Sequence, residues 1–342
     1  MMRNSYLKVL TALLLIGCSS NNSVTYTQPE ANILVSDNTA KKYATTITAE
    51  ELKTHLWIYA SDEFEGRNTG EPGQKKAVDY LKNYYLSQNI VSPMGGDDYF
   101  QEIGTEHLKP NIKPSENVLA FVEGSEKPEE VVVISAHLDH VGIRYGEIYN
   151  GADDDGSGTV AILEMAQAFK QAADEGNGPR RSILFLHVTG EEKGLLGSKY
   201  YTDYPVIPLE NTVVNLNIDM IGRIDEAHEN NPNFVYLIGS DKLSTELHNI
   251  SEAINDKFTQ IDLDYTYNDE NDPNRFYYRS DHYNFAKNNI PVIFYFNGTH
   301  EDYHQPSDTP DKINYDLLAK RTKLIFYTAW EIANREQRIQ LD

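Results

Sequence analysis

Apolar positions along the chain fall into two alternating kinds of run. Short, nearly continuous stretches at Val118 to Val122, Val131 to Ala136, Ile183 to Val188, Val213 to Ile218, Phe234 to Ile238 and Val292 to Phe296 are rich in β-branched and aromatic residues and predict buried strands. Longer stretches that repeat their apolar residues every three or four positions predict helices at Thr159 to Ala173, Leu195 to Thr202, Leu243 to Lys257, Ser280 to Lys287 and Tyr315 to Glu336. Two further helices precede the first strand. One starts at a capping box, Thr48 followed three residues later by Glu51, ahead of Leu52, Leu56 and Tyr59. The other, Lys75 to Gln88, places Ala77, Tyr80, Leu81, Tyr84 and Tyr85 at helical spacing, and the polar Ser61 to Gly73 between them reads as a loop. Strands alternating with helices in this way predict an α/β three-layer sandwich, with a central, mostly parallel mixed β-sheet flanked by helices. Ligands of such sheets bind beyond the carboxyl ends of the strands.

The first residues follow another pattern. Arg3 and Lys8 precede a mostly apolar run from Val9 to Ile16, which is far shorter than the roughly 20 residues of a membrane-spanning helix and has the layout of a signal peptide. It ends at Leu15-Ile16-Gly17-Cys18, which resembles the lipobox of bacterial lipoproteins and implies a signal peptide over 1–17 and acylation of Cys18. Residues 18–46, opening on Ser19-Ser20-Asn21-Asn22-Ser23, read as a flexible tether, and 47–342 as a single folded domain. Cys18 is the sole cysteine, so no intrachain disulfide and no cysteine-built zinc site can form. With 52 acidic against 30 basic residues the formal charge is −22, which excludes electrostatic capture of nucleic acid. The same charge repels anionic lipid, so attachment to a membrane rests on the acyl anchor. The expectation is an exported lipoprotein of the bacterial cell envelope, at an outer membrane and facing periplasm or cell surface, acting as a monomer.

Chemistry gathers where the predicted strands end. His137-Leu138-Asp139 follows Val131 to Ala136, and a carboxylate two residues past an imidazole can take its second ring proton and fix its tautomer for metal binding. Gly151 to Gly158 then stacks Asp153, Asp154 and Asp155 in a glycine-rich turn, where three carboxylates repel one another unless solvated or neutralised by a cation. Thr189-Gly190-Glu191-Glu192 ends another strand, Asp219 a third, and the last strand leads into Asp302-Tyr303-His304-Gln305-Pro306-Ser307-Asp308-Thr309. Several strands in succession end in a metal-competent side chain. Oxygen-rich sites with one imidazole per ion suit zinc, manganese or cobalt, and paired ions are a recognised hydrolytic device. Ser280-Asp281-His282 holds the residue types of a hydrolase triad, but adjacency in sequence is not triad geometry and no Gly-x-Ser-x-Gly is present. His107, His228, His248 and His300 read as surface or packing residues. Asp262 to Asp272 reads as a solvated acidic loop, with the rim of a substrate pocket as the functional alternative.

Over roughly residues 50–335 the sequence resembles the co-catalytic dizinc aminopeptidases of bacteria, a metallopeptidase family that also includes glutamate carboxypeptidase and glutaminyl cyclase. The segments that carry the resemblance are Ser135 to Asp139, Gly151 to Gly158, Thr189 to Glu192, Asn217 to Met220 and Asp302 to Thr309. The resemblance implies a zinc exopeptidase fold in which His137 and Asp219 bind one zinc, Glu192 and His304 the other, and Asp154 bridges them. It further implies a cis peptide at Asp154-Asp155, Asp139 orienting His137, and Glu191 as the base that takes a proton from a metal-bridging water. Tyr303 matches a position at which some members place a tyrosine that holds the oxyanion. The implied activity is an aminopeptidase acting on peptides with a free N-terminus, with manganese or cobalt as substitutes for the two zinc ions. The alternatives are a one-metal glutaminyl cyclase, a carboxypeptidase on the same fold, and a non-catalytic peptide-binding lipoprotein; Glu191 and the five implied ligands argue against the last.

Overall fold

The computed structural model describes residues 37–342. The proposed signal peptide, Cys18 and most of the tether lie outside the described residues. Among those described, no helix is long and apolar enough to cross a membrane.

Among the described residues ten strands form in chain order: β1 (Phe100–Ile103), β2 (Ser115–Val122), β3 (Lys127–His137), β4 (Gly142–Arg144), β5 (Glu147–Tyr149), β6 (Arg181–Val188), β7 (Thr212–Ile218), β8 (Phe234–Ile238), β9 (Asp262–Asp264) and β10 (Val292–Phe296). Eight of them make one sheet in the order β1-β2-β6-β3-β7-β10-β8-β9, and β4 and β5 form a separate hairpin. The centre, β6-β3-β7-β10, is parallel, while β2 joins β6 and β8 joins β10 in antiparallel pairs. All six predicted strands are present. Their continuous apolar runs have the reason expected of central strands, since both faces are covered: in β3, Val132, Ile134 and Ala136 pack into one core while Val131 and Val133 pack into the other.

The helices are α1 (Asp37–Ala44), α2 (Ala49–Tyr59), α3 (Pro72–Ser87), α4 (Gly158–Asp174), α5 (Leu196–Asp203), α6 (Thr245–Ile254), α7 (His282–Ala286) and α8 (Tyr315–Asn334). α2, α4 and α8 pack together over the larger core, and α5 and α7 cover the opposite face, giving the three layers. α2 begins at the expected capping box: the Glu51 amide donates to Thr48 Oγ1 at 3.1 Å, and that hydroxyl donates to Glu51 Oε2 at 3.0 Å.

Four elements differ from expectation. α1 falls inside the stretch read as tether, yet Ala40, Tyr43 and Ala44 are buried and Tyr43 stacks on Trp330, so residues from 37 on belong to the folded body. β1, Phe-Gln-Glu-Ile, has too few apolar residues to read as a strand and forms because it lies at the sheet's edge against β2. β9 lies in the run read as an acidic loop: its Asp262 and Asp264 belong to the other edge of the sheet, where charge discourages further pairing. The β4–β5 hairpin, with Tyr145 fully exposed at its turn, carries no alternating pattern long enough to announce it.

Candidate metal centre

β3 delivers His137 at its last position, buried at the carboxyl edge of the sheet. Its Nδ1 lies 2.9 Å from the carbonyl oxygen of Asp139. A carbonyl can only accept, so Nδ1 carries a proton, and in the neutral ring Nε2 presents its lone pair to the cleft. This corrects the role expected of the Asp139 side chain. Its Oδ1 is 3.9 Å from His137 Nδ1 and accepts instead from the Glu191 amide at 3.1 Å, while its Oδ2 accepts from Thr69 Oγ1 at 2.6 Å. Asp139 therefore orients His137 through its backbone and anchors the Glu191 turn through its carboxylate.

Buried Arg67 fixes the chain on either side of this point. It donates to the carbonyls of Tyr59, Leu138, Asn150 and Gly151. Gly151 has φ +54°, and a Cβ there would come within 2.3 Å of the Asp154 carbonyl oxygen and 2.5 Å of the His140 ring. Only glycine lets the turn close over that imidazole.

The three adjacent acids of this turn separate by task. Asp153 accepts from the Gly222 amide through Oδ1 at 2.7 Å and faces His300 Nε2 through Oδ2 at 3.1 Å. Asp155 is used up by backbone: Oδ1 accepts from the amides of Gly158 and Met220, and Oδ2 from that of His137. Asp308, in turn, accepts from the amides of Asp153 and Asp154. Asp154 alone points both oxygens into the cleft. Oδ1 lies 3.0 Å from His137 Nε2, and Oδ2 lies 3.0 Å from His304 Nε2. The Asp154-Asp155 peptide is cis, as the resemblance implied.

Around that carboxylate stand two groups. On one side His137 Nε2 is 3.5 Å from Asp219 Oδ1. The other oxygen of Asp219 accepts from Ser280 Oγ at 2.7 Å, and Ser280 is itself bonded by Asn217. On the other side Glu192 Oε1 lies 3.2 Å from His304 Nε2 and 2.9 Å from His140 Nδ1. Burial favours protonation of Asp154 and Glu192, but the imidazoles around them outweigh it and hold Asp154 well below the usual carboxylate range and Glu192 at about 2. His137 Nε2, His140 Nδ1, Asp154 Oδ2 and Glu192 Oε1 are all buried without a hydrogen-bond partner. Buried polar atoms are not left unpaired at small cost, and these four converge. The donor set, imidazole nitrogens and carboxylate oxygens, suits zinc, manganese or cobalt, so the residues fit a pair of such ions.

All the sequence-predicted site residues but one lie here: His137, Asp154, Glu191, Glu192, Asp219, Tyr303 and His304, with Asp139 beneath, while Cys18 is outside the described residues. Glu191, Asp219, Asp154 and Tyr303 line a cleft whose apolar wall is Met220, Phe276, Phe294 and Phe296. Tyr303 stacks on the His304 ring at 4.0 Å. Ser280, Asp281 and His282 do not form a triad: Ser280 turns to Asp219, Asp281 accepts from Ser198, and His282 stacks on Phe294. Two histidines set aside as surface or packing residues have buried partners. His300 meets Asp153, and His228 Nδ1 lies 2.7 Å from Asp225 Oδ1. The pocket wall begins after the acidic run, at Phe276 and Arg279. Sequence reasoning missed His140, Asp308 and the backbone role of Asp155. His140 stands three residues after His137, a metal-ligand spacing that was legible; the other two act on main-chain amides, which no spacing announces.

Residues 117–329 match the model of peptidase family M28. Aminopeptidase YwaD of Bacillus subtilis is 27% identical over 66% of this chain, and the match spans 46% of that protein's own length. A probable leucine aminopeptidase of Trichophyton verrucosum is 30% identical over 84% of this chain and 74% of its own. Among solved structures, the LapA aminopeptidase of Legionella pneumophila superposes with TM-score 0.69 at 21% identity, covering 89% of this chain and 76% of that one. The glutaminyl cyclase of Porphyromonas gingivalis gives 0.62 at 18% identity over 82% and 97%. At such identities the two structures speak for the fold. The family match covers more than half of the sequence and includes every residue of the cluster from His137 to Asp308; the chain belongs to peptidase family M28.

Proposed function

We propose that this protein is an aminopeptidase that uses two zinc ions to remove N-terminal residues from peptides. His137 and Asp219 would hold one ion and Glu192 and His304 the other, with Asp154 offering one oxygen to each side. The observation that carries the reading is the placement of Asp154, with one oxygen 3.0 Å from each of two imidazoles. Ions held there would supply a Lewis acid for the scissile carbonyl and would lower the pKa of a bound water.

The rest is the work of this chain's own groups. Glu191 lines the cleft with its backbone pinned to Asp139, so its carboxylate is placed to take a proton from water and return it to the leaving amine. Burial, then Asp154, Asp219, Glu191 and Glu192 around it, push the Tyr303 hydroxyl far up, so it stays a phenol and can donate to the carbonyl oxygen as charge develops. The carboxylates at the cleft receive the substrate's α-ammonium, and the wall of Met220, Phe276, Phe294 and Phe296 its first side chain. On the strength of Leu15-Ile16-Gly17-Cys18 we further propose an exported monomeric lipoprotein held to the cell envelope through Cys18.

The likeness to a glutaminyl cyclase favours one competing reading, a cyclase with one catalytic ion. Aminoacyl-anilides with free and N-acetylated amines, given to the purified chain while zinc is counted in the same sample, decide between them. Release from the free-amine substrates alone, with about two zinc per chain, is the expected result; cyclisation of an N-terminal glutamine with about one zinc overturns it.

A further inference from the structure

We propose that His140 is a direct ligand of the second metal ion, so that the two ions sit in unequal shells: four protein ligands (Asp154, Glu192, His304 and His140) on one side, and three (His137, Asp154 and Asp219) on the other. The proposal rests on the two-metal reading above and adds to it a ligand outside the five that the resemblance implied.

His140 is fully buried, and neither of its ring nitrogens has a hydrogen-bond partner. A buried imidazole satisfied at neither nitrogen is costly unless something else engages it. Its Nδ1 lies 2.9 Å from Glu192 Oε1 and 3.7 Å from Asp154 Oδ2. His304 Nε2 lies 3.2 Å and 3.0 Å from the same two oxygens. The 2.9 Å contact has the length of a hydrogen bond but not its direction, since neither atom counts the other as a partner. Nδ1 and Glu192 Oε1 thus stand close without the alignment of a ring N–H bond, as two atoms do that face a common third body. Ligands at zinc bond lengths of about 2.0–2.1 Å in a tetrahedron stand roughly 3.3–3.4 Å apart, the middle of the separations found here. Glu192 Oε1 and Asp154 Oδ2 are also unpartnered, so all the atoms around this point await the same occupant.

The local structure is built to hold the ring there. The His140 amide donates to the Arg67 carbonyl at 3.2 Å, and Gly151 passes so close that a Cβ would come within 2.5 Å of the imidazole. On the opposite side of Asp154 no second imidazole stands among the described residues, so His137 and Asp219 would leave that shell open for water and substrate. A filled shell of four protein ligands is the mark of a tightly held ion, an open shell of three that of a working one. The His140 side therefore fills first and empties last.

The test uses the full chain, stripped of metal and reloaded with zinc. X-ray absorption at the zinc edge, on a sample given one equivalent, is expected to show two imidazoles per zinc. Competition with a chromophoric chelator is expected to resolve two affinities, the tighter weakened at least about 100-fold in His140→Ala while the weaker stays within about threefold. His140→Asn keeps an amide donor beside Glu192, and it should fail to restore the tight site. Circular dichroism and thermal melting of the metal-free forms check that each variant folds, and the absorption measurement on the unsubstituted chain needs no variant at all. One imidazole per zinc in the unsubstituted chain, unchanged affinities in His140→Ala, or rescue by His140→Asn would overturn the proposal while leaving two-zinc catalysis standing. A chain that takes up no zinc would sink both.

Discussion

The two sides of the Asp154 carboxylate are built differently. On the His137 side the proposed ligands come from the ends of strands and are braced from behind: Nδ1 of His137 meets the Asp139 carbonyl, and Asp219 accepts from Ser280, which Asn217 holds in turn. On the His304 side the proposed ligands stand farther out, on the loops that follow the strands, Glu192 beyond β6 and His140 beyond β3. His304 has φ +54° and its side chain is 35% exposed, against 1% for His137. Precision on the first side follows from sheet geometry, which fixes where a strand ends. On the second side it follows from convergence of several loops on one point, which is why an extra imidazole can enter there.

The largest expected effect tests the group that serves both sides. Glu191→Gln should lower kcat by about 10³-fold or more while zinc content stays at the native level, measured by turnover and metal analysis of one sample. Loss of zinc along with turnover would make Glu191 a ligand and merge the two sides.

Next comes the floor beneath them. Asp155→Ala leaves three buried backbone amides without an acceptor and should destabilise the metal-free chain by at least about 3 kcal/mol in urea unfolding. Asp154→Ala should leave the stability of the metal-free chain much nearer the native value, yet lose zinc from both sides. Equal destabilisation by the two substitutions would erase the distinction between the carboxylate that faces the cleft and the one that holds the turn.

A buried acid away from the cluster gives the contrast. Glu164 on α4 has its side chain out of solvent, 3.8 Å from His55, and burial pushes its carboxyl from the ordinary 4.5 up to about 8. The folded chain holds that proton more tightly than the unfolded one, so stability falls as pH rises from about 4.5 to about 8 and levels off above. Glu164→Gln should remove this slope and stabilise the chain on the order of 2 kcal/mol at pH 9, with little change at pH 4, read from melting across pH. A slope that survives the substitution would assign it to other groups.

The smallest effect refines the braced side. Ser280→Ala removes one hydrogen bond from Asp219 and should weaken zinc there about tenfold, leaving the His304 side unchanged in the same chelator titration. Equal weakening on both sides would mean that the shared Asp154 couples them more strongly than their separate supports divide them.

Much of this was legible in the sequence, for reasons that can be named. Val131 to Ala136 and its five counterparts read as strands because a strand buried on both faces must be apolar throughout. Glu191, Glu192 and Asp219 read as functional because charge at the end of such a strand has little structural excuse. The readings failed where an element's stability comes from its neighbours: β1 and β9 are too polar to declare themselves, and α1 shows its buried face only against α4 and α8. They failed also where a side chain answers to the backbone, as with the Asp139 carboxylate turning to the Glu191 amide.

The amino-acid order by itself determined the layers, the strand ends at which chemistry gathers and the residue types found there, because hydrophobic period and strand length are local properties. Only the tertiary structure decided how Asp153 and Asp155 are employed beside Asp154, the one on Gly222 and His300, the other on three backbone amides, and that the His140 ring lies against Glu192. Those outcomes depend on which amides and imidazoles the folded chain brings within about 3 Å of each carboxylate, and hydrogen bonds of that reach join residues far apart in sequence.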